Sequence, residues 1–395
     1  MRIDNIRKSV SDGKTRIEAD VTFETAGRPD FNAWIESGHD LALDPNVFLL
    51  ALYPVAAKYQ EQRLQIGGAV SPLLTHKLRD VYAWWKAWGF IGSEGSPPLI
   101  SGTALVEYEQ TGGFQSAGFL SGGVDSVQML YGNHDRFPAG HPHRITHAIQ
   151  INGFSRSKKD VVEAIEPMVA QACANIVSDT GVEFITVETN LRLIDQATVF
   201  WTRQFHGPVL AAIAHAVIPG SGVARIGSSF DIAHMPAWGS HPMLDGNLGT
   251  ERLSLLHEEA PLSRLDKVRE LVRFPQALEN VQVCTQWVPT HLNCGRCEKC
   301  MRTKLELVAL GAAVPSCFAD RDIKPEYVRK ITSEYAIPWY EEMIAPLEQQ
   351  GRGDLSQAVR QKLRRGSFAR AAINMDTKLT KGFVRKAYLK AFKGI

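Results

Sequence analysis

The sequence predicts an α/β protein whose central domain is a parallel sheet with crossover helices. Apolar strands alternate with helical segments between about residues 115 and 227, as in chains of repeated strand–helix–strand units. The first of these strands runs into the glycine turn Ser121-Gly122-Gly123, which opens a helix. Four cysteines within residues 284–300 add a predicted Cys₄ metal knuckle to this domain.

Three regions are predicted along the 395 residues. They are an α+β N-terminal module at 1–110, the sheet domain with its knuckle at 111–312, and a helical extension with a basic tail at 313–395. In the first region, Asp12-Gly13 indicates a hairpin before a strand at 16–23. Prolines at the first helical position announce two helices, at 46–58 and 73–88, and a further strand is expected at 104–109.

The composition argues against three classes of protein: strongly basic nucleic-acid binders, membrane-spanning proteins and disulfide-rich proteins. The formal net charge is only +2, so the chain as a whole carries no strong field for nucleic acid. No apolar run reaches the eighteen or so residues of a membrane span, and we expect no transmembrane segment. Six cysteines, four of them clustered, do not make a disulfide scaffold in a chain of this length. We therefore expect a cytoplasmic enzyme.

The turn after the first strand has the features of a phosphate cradle. Two adjacent glycines remove the Cβ atoms that would keep the backbone from a phosphate, and the next helix points its unpaired N–H groups to the same place. Asp125 can cap that helix or help to hold Mg²⁺. The predicted binding residues are Leu120, Ser121, Gly122, Gly123, Val124, Asp125 and Ser126.

Ligands of parallel sheets bind beyond the carboxyl ends of the strands. Besides the cradle, these ends are expected at residues 152–154, 189–190 and 228–231. Strand periodicity lapses between 231 and 262, and we interpret this stretch as the loop for an acceptor substrate. Its polar residues His241, Asp245 and Glu251 either bind Mg²⁺, orient a nucleophile, or are ordinary loop residues.

The cysteines Cys284, Cys294, Cys297 and Cys300 have the spacing of a four-thiolate metal site. Gly295 inside the knuckle lets backbone N–H groups turn toward sulfur. Structural Zn²⁺ is the expected ion. An iron–sulfur cluster stays open, because four cysteines serve both.

The run Ser-Gly-Gly-Val-Asp-Ser at 121–126 resembles the PP-loop of the ATP pyrophosphatases. In that family the loop holds the β and γ phosphates of ATP while a substrate oxygen attacks the α phosphate. The resemblance implies bound ATP and Mg²⁺, with Ser121 and Asp125 in catalysis. It also implies that Ile151, Asn152 and Phe154 receive the adenine, that His206-Gly207 approaches the nucleotide, and that Lys267 reaches the phosphates.

The PP-loop followed by the cysteine pattern resembles the 7-cyano-7-deazaguanine synthases of the queuosine pathway, over roughly residues 115–312. Those enzymes hold zinc with four thiolates and use ATP and ammonia to convert a carboxylate into an amide and then a nitrile. This chain is longer at both ends, and its loop after the second strand, Asn152-Gly153-Phe154, departs from the family pattern. The resemblance therefore implies the ATP chemistry and the zinc. The acceptor stays open as a small molecule with a carboxylate or amide, with ammonia or an amine as donor.

Two other functions remain open at this stage. One is sulfur transfer to tRNA, as in some PP-loop proteins, and the other is a regulatory protein that binds ATP without catalysis. A homodimer is one possible assembly. The basic helix at 382–393 either docks on its own domain or contacts a membrane surface or nucleic acid.

Overall fold

The computed structural model describes residues 1–25, 27–104, 113–155, 159–284, 286, 288, 290–330 and 337–365. The chain divides into two compact units, of which the first ends at Gln282 and the second begins at Val283. The predicted strand at 104–109 falls largely outside the described residues, as does the whole basic helix at 382–393.

The first unit is built on a sheet whose strands are β1 (Arg2–Ser11), β2 (Lys14–Thr22), β3 (Phe31–Ser37), β4 (Arg63–Val70), β5 (Leu99–Ala104), β6 (Gln115–Phe119), β7 (His147–Asn152), β8 (Glu183–Thr189), β9 (Gly222–Gly227) and β10 (Leu253–Glu258). Among the described residues these ten strands form one mixed sheet, in the order β10-β9-β6-β7-β8-β3-β2-β1-β4-β5. Most neighbouring pairs are parallel; the antiparallel pairs are β8 with β3, β3 with β2 and β2 with β1. The prediction of an α/β fold with a largely parallel sheet is confirmed.

The helices of the first unit are α1 (Pro45–Lys58), α2 (Pro72–Ala87), α3 (Val124–Arg136), α4 (Lys159–Val177), α5 (Thr198–Phe200), α6 (His206–Val217), α7 (Pro242–Asp245), α8 (Arg264–Leu271) and α9 (Pro275–Glu279). A π-helical turn, Trp201–Phe205, joins α5 to α6. The second unit contains α10 (Glu298–Ala309), α11 (Pro325–Arg329), α12 (Ile337–Glu342) and α13 (Ile344–Gln349), and residues 353–365 are also helical.

The strand order places a topological switch point between β6 and β9. From β6 the chain proceeds outward through β7 and β8, and it then returns to the opposite side of β6 to form β9 and β10. Crossover connections leave in opposite directions at such a point, which opens a crevice at the carboxyl ends of the two central strands. The glycine turn at 121–123 follows β6 and therefore lies at this crevice.

The N-terminal strands extend the same sheet. Strand β3 pairs with β8 in the register Ile35 to Thr189, and the next residue, Asn190, continues the pairing through its side chain. Asn190 Oδ1 accepts from Trp34 N–H at 2.9 Å, and its Nδ2 donates to Asn32 O at 2.7 Å. The N-terminal strands therefore belong to the compact unit that ends at Gln282; the three regions expected from the sequence stay a prediction.

Local signals in the sequence are reproduced in the first unit. Asp12 and Gly13 have positive φ angles of 50° and 73° and join β1 to β2, as a two-residue hairpin requires. Asp44 and Ser71 cap α1 and α2, each just before the proline at the first helical position. Helix α1 is apolar on nearly every face and is buried against α6.

The stretch 231–262 is more regular than expected. Its latter part is the parallel edge strand β10, and α7 occupies residues 242–245. The interpretation of the whole stretch as a loop is therefore wrong. Leu253 and Leu255 are buried while Ser254 and Leu256 are exposed, a period-2 pattern that is short and lies next to polar residues.

The junction between β8 and β3 generates a stability prediction. Asn190→Ala removes two hydrogen bonds and leaves Trp34 N–H and Asn32 O without these partners, which should cost about 1–3 kcal/mol of unfolding free energy. Urea unfolding measures this change. Asn247→Ala, which removes one surface bond to Met243 O, is the control and should stay within about 0.5 kcal/mol. An unchanged midpoint for Asn190→Ala would show that the backbone pairing alone holds the junction.

Candidate active site and metal centre

The glycine turn has the backbone geometry of a phosphate cradle. Leu120 N–H donates to Ile149 O at 2.8 Å, which ties the end of β6 to β7. Gly122 then adopts a φ of 74°, in the left-handed region that favours glycine. Gly123 is the N-cap of α3 and provides no side-chain cap, so the first N–H groups of the helix are left to other partners.

The two serines brace this turn from within. Ser126 Oγ accepts from Ser121 N–H at 3.2 Å and donates to Gly123 O at 3.0 Å. Ser121 Oγ lies 3.2 Å from Ser126 Oγ and accepts from Gly123 N–H at 3.4 Å. The hydroxyls of these two predicted binding residues therefore fix the shape of the loop.

Charged side chains from α8 converge on the first turn of α3. Lys267 Nζ lies 3.6 Å from Asp125 Oδ1, and Arg264 Nη1 lies 3.8 Å from the same oxygen. Asp125 Oδ1 is buried and accepts no hydrogen bond from the described residues. Burial lowers the pKa of Lys267, which is only 1% exposed, and the Asp125 carboxylate opposes that shift. The predicted pair of Asp125 and Lys267 is thus brought together.

Strand β9 and helix α3 approach closely at the switch point. A Cβ atom at Gly227 would lie 2.7 Å from Asp125 O, closer than side-chain carbons come to a backbone oxygen. Glycine at the end of β9 therefore allows the Asp125 backbone to lie against the strand. The segment that follows Gly227 begins with Ser228, whose carbonyl accepts a hydrogen bond from Lys267 Nζ.

The end of β7 is a polar edge followed by an aromatic contact. Asn152 Oδ1 accepts from Gln150 Nε2 at 2.8 Å. Gly153, with a φ of 95°, passes so close to Thr189 that a Cβ would lie 2.1 Å from the Thr189 carbonyl oxygen. Phe154 then packs edge-on against Trp201, with ring centroids 4.7 Å apart. Ile151, Asn152 and Phe154 lie at the expected strand end; their contact with adenine stays a prediction.

The start of α6 crosses a loop at very short range. A Cβ at Gly207 would lie 2.0 Å from Gly239 O, and His206 Nδ1 bonds to Trp201 O at 2.9 Å. This close crossing is a sufficient reason for glycine at position 207. The expected approach of His206 and Gly207 to a nucleotide stays a prediction.

Three side chains, Asp245, His257 and Ser228, form a hydrogen-bonded chain that ends at the residue whose carbonyl accepts from Lys267. Asp245 Oδ2 lies 2.8 Å from His257 Nδ1, and His257 Nε2 lies 2.8 Å from Ser228 Oγ. Asp245 is fully buried and Ser228 is 1% exposed. Ser240 Oγ also donates to Asp245 Oδ2, at 2.8 Å. This chain, from Asp245 through His257 to Ser228, links α7, β10 and the end of β9.

The other polar residues proposed for the acceptor loop have local partners. Glu251 accepts from Ser71 Oγ at 2.6 Å and from Leu73 N–H at 3.2 Å, so it stabilises the start of α2. His241 Nδ1 accepts from Met243 N–H and caps α7. Within the described ranges, only the four cysteines bring three or more metal-ligand side chains together.

The four cysteines of the second unit form a compact cluster. Their sulfur atoms all lie within 4.8 Å of one another, and Cys284, Cys297 and Cys300 are buried. The Cys297 and Cys300 sulfurs are 3.3 Å apart, and the separations of Cys294 from Cys300 and of Cys284 from Cys297 are both 3.9 Å. Four sulfurs at about 2.3 Å from a tetrahedral Zn²⁺ would be about 3.8 Å apart. The cluster could hold a metal such as zinc.

Backbone N–H groups point at these sulfurs. Cys284 Sγ accepts from the N–H groups of Gln286 and Cys294 at 3.3 and 3.4 Å. Cys294 Sγ accepts from those of Arg296 and Cys297 at 3.4 and 3.3 Å. Such donors stabilise thiolate charge and orient the ligands of a metal knuckle. The two bonds to Cys294 Sγ lie within the turn at Gly295, whose φ of 76° is in the left-handed region that favours glycine.

The raised pKa values of two thiols in the cluster are a further reason to expect a bound cation. Without one, the hydrogen bond with Cys297, together with burial, raises the pKa of Cys284 to about 11. The neighbouring thiols Cys284 and Cys297 raise the pKa of Cys300 as well. Cys284 and Cys300 therefore resist becoming thiolates by themselves, and a bound divalent ion would remove that penalty.

Fold and site together define a mixed α/β protein with a glycine turn at the switch point of a mostly parallel sheet and a separate four-cysteine cluster. Comparison with family models, with curated proteins and with solved structures finds no match to this chain. No helix in the described ranges combines the length and apolar character that crossing a bilayer requires.

Two residues of this region, Arg264 and His257, were not singled out from the sequence, whereas Ser228 belongs to the strand end predicted at 228–231. His257 could have been found had β10 been recognised, because it lies near the carboxyl end of a strand parallel to β9. Arg264 opens α8 three residues before Lys267, so both lie on one helix face.

The cysteine cluster generates a metal prediction. Protein purified under reducing conditions should contain about one metal ion per chain by inductively coupled plasma mass spectrometry. Cys300→Ser should remove most of it and unfold the second unit at lower temperature, because a structural ion contributes folding free energy directly.

Cys317→Ala is the matched control, since Cys317 is a buried cysteine of the same unit outside the cluster. It should keep the metal. Equal loss of metal in both variants, or a metal-free wild-type protein, would contradict the assignment. The same measurement distinguishes zinc from iron.

Proposed function

We propose that this protein is an AMP-forming, ATP-dependent ligase that makes a C–N bond. An oxygen of a carboxylate or amide on a small acceptor attacks the α phosphorus of ATP, and the bond to the bridging oxygen breaks. Pyrophosphate leaves. Ammonia or an amine then attacks the acceptor carbon, and the C–O bond to AMP breaks.

One observation carries this proposal: the glycine turn, Asp125 and Lys267 converge at the switch point between β6 and β9. An uncapped helix N-terminus beside a left-handed glycine provides N–H groups for phosphate oxygens. The nearby Lys267 ammonium adds positive charge in a buried place, where charge interactions are strong. Together these groups suit the build-up of charge on departing pyrophosphate.

We assign a magnesium ion to the Asp125 carboxylate. Asp125 Oδ1 is a buried oxygen that accepts no hydrogen bond from the described residues, and the Lys267 and Arg264 cations lie 3.6 and 3.8 Å from it. Mg²⁺ binds through one or two carboxylates together with substrate phosphates and would neutralise phosphate charge. Asp125 would hold that ion, Lys267 would contact the phosphates, and Ser121 would keep the loop in shape while offering its hydroxyl.

At the cysteine cluster we propose zinc in a structural role. The four ligands are all thiols, and three of them are buried, which leaves no evident open position for a substrate. The ion would stabilise the second unit rather than take part in the reaction.

Sulfur transfer is less well supported, because the cysteine beneath the turn is unsuited to it. Cys173, on α4, lies beneath the loop, where its sulfur would be 3.3 Å from a Cβ at Gly122. It is fully buried, and burial raises its pKa to about 12. A thiol in this state is a poor nucleophile and a poor persulfide carrier.

Phosphorus NMR of MgATP with the protein, ammonia and a small-molecule extract tests the proposal. AMP and pyrophosphate should accumulate, and Asp125→Asn should slow their release by about 100-fold through loss of charge at the metal. Lys267→Met should have an effect of similar size, because it removes the buried cation near the phosphates.

Asp135→Asn is the matched control, since Asp135 lies on the same helix and pairs at the surface with Arg273. It should react like the wild type. Release of ADP in place of AMP would refute the ligase mechanism. MgATP binding without turnover across varied extracts would instead favour a regulatory ATP-binding protein.

A further inference from the structure

The chain of Asp245, His257 and Ser228 has the spacing of a catalytic triad, with both contacts to the imidazole at 2.8 Å. Ser228, however, is 1% exposed, and its hydroxyl donates to Phe230 O at 2.6 Å. A nucleophile needs both access to substrate and a hydrogen that the base can take. The geometry therefore argues against Ser228 as a nucleophile.

The hydrogen-bonded chain of these three side chains instead constrains a backbone atom at the candidate active site, the carbonyl oxygen of Ser228. Lys267 Nζ donates to Ser228 O, and the same ammonium lies 3.6 Å from Asp125 Oδ1. The side chain of Ser228 is held on one side by His257 and on the other by Phe230 O. Fixing this side chain fixes the carbonyl of the same residue, which is the acceptor for Lys267.

Asp245 holds the His257 imidazole through Nδ1, on the side of the ring opposite to Ser228. Its carboxylate is fully buried and also accepts from Ser240 Oγ at 2.8 Å and from His241 N–H at 3.3 Å. The anchor is therefore rigid, because three groups, two from the loop before α7 and one from β10, share one carboxylate. Parallel pairing of β10 with β9 sets His257 next to Ser228.

We propose that His257 is a positioning residue: it links the buried Asp245 to Ser228 and so holds the carbonyl that directs the Lys267 ammonium toward Asp125. The benefit of this position to catalysis rests on the proposed function. The positioning itself does not, since it concerns only the location of the ammonium.

Two substitutions of His257 separate its two contacts. The amide of Asn occupies the place of Nδ1, so His257→Asn keeps a donor for Asp245 and loses the contact with Ser228. The longer Gln reaches the place of Nε2, so His257→Gln keeps the contact with Ser228. Ser228→Ala removes a single oxygen atom and keeps the carbonyl, so the test survives if His257→Asn does not fold.

The first measurement uses no nucleotide. Acetic anhydride acetylates accessible lysines, and mass spectrometry gives the rate at Lys267, which is almost fully buried in the folded protein. We expect the rate to rise at least fivefold in His257→Asn and in Ser228→Ala, and to stay within twofold in His257→Gln. The double variant His257→Asn, Ser228→Ala should not exceed either single variant, because both break the same link.

The matched control is His39→Gln, which breaks another histidine–carboxylate pair of the same unit, with Glu183 at 3.2 Å. Its Lys267 rate should equal that of the wild type. Equal rates for the Asn and Gln variants, whether raised or unchanged, would overturn the proposal, because the contact with Ser228 would then carry no effect.

The second measurement is calorimetric titration with MgATP. His257→Asn should weaken binding about tenfold and His257→Gln less than threefold. If the wild type binds no MgATP, the proposed ligase function fails, whereas the acetylation rates still decide whether His257 positions Lys267.

Discussion

The close packing of the start of α3 against the end of β9 is the constraint on which the candidate site depends. A Cβ at Gly227 would meet Asp125 O at 2.7 Å, so glycine at that position lets the helix N-terminus lie at the crevice between the two central strands. Asp125 then faces Lys267 from α8, while Ser228 follows β9 directly and receives the lysine hydrogen bond. The glycine turn, the Asp125 carboxylate and the Lys267 ammonium thus owe their proximity to one tight backbone contact.

The polar chain behind Lys267 shows how a buried ammonium is tolerated. Taking a lysine out of water is costly unless its charge is compensated; here Ser228 O accepts a hydrogen bond from the ammonium, and the Asp125 carboxylate lies 3.6 Å away as an ion-pair partner. The carbonyl is held by His257 through the Ser228 side chain, and Asp245 anchors the imidazole. In the second unit, too, buried polar groups have hydrogen-bond partners. Backbone N–H groups there point at the sulfurs of a cluster that could hold a metal such as zinc.

Much of the fold could be predicted because its signals are local. Adjacent glycines after an apolar strand, Asp12-Gly13, and prolines after Asp44 and Ser71 each act within a few residues of chain. Strand β10 was missed because it is short and lies at the sheet edge, where only every second residue is buried. The joining of β3 to β8 was also missed, since pairing between residues 35 and 189 leaves no local pattern.

The sequence by itself determined the glycine turn, the alternation of strands and helices, and the four thiols, because backbone conformation and ligand spacing depend on neighbouring residues. Only the tertiary structure decided that the N-terminal strands extend the central sheet and that Glu251 stabilises a helix start. It also decided that His257 links Asp245 to Ser228. These relations join residues distant in the chain, and their physical basis is strand register and burial, which form only when the sheet is assembled.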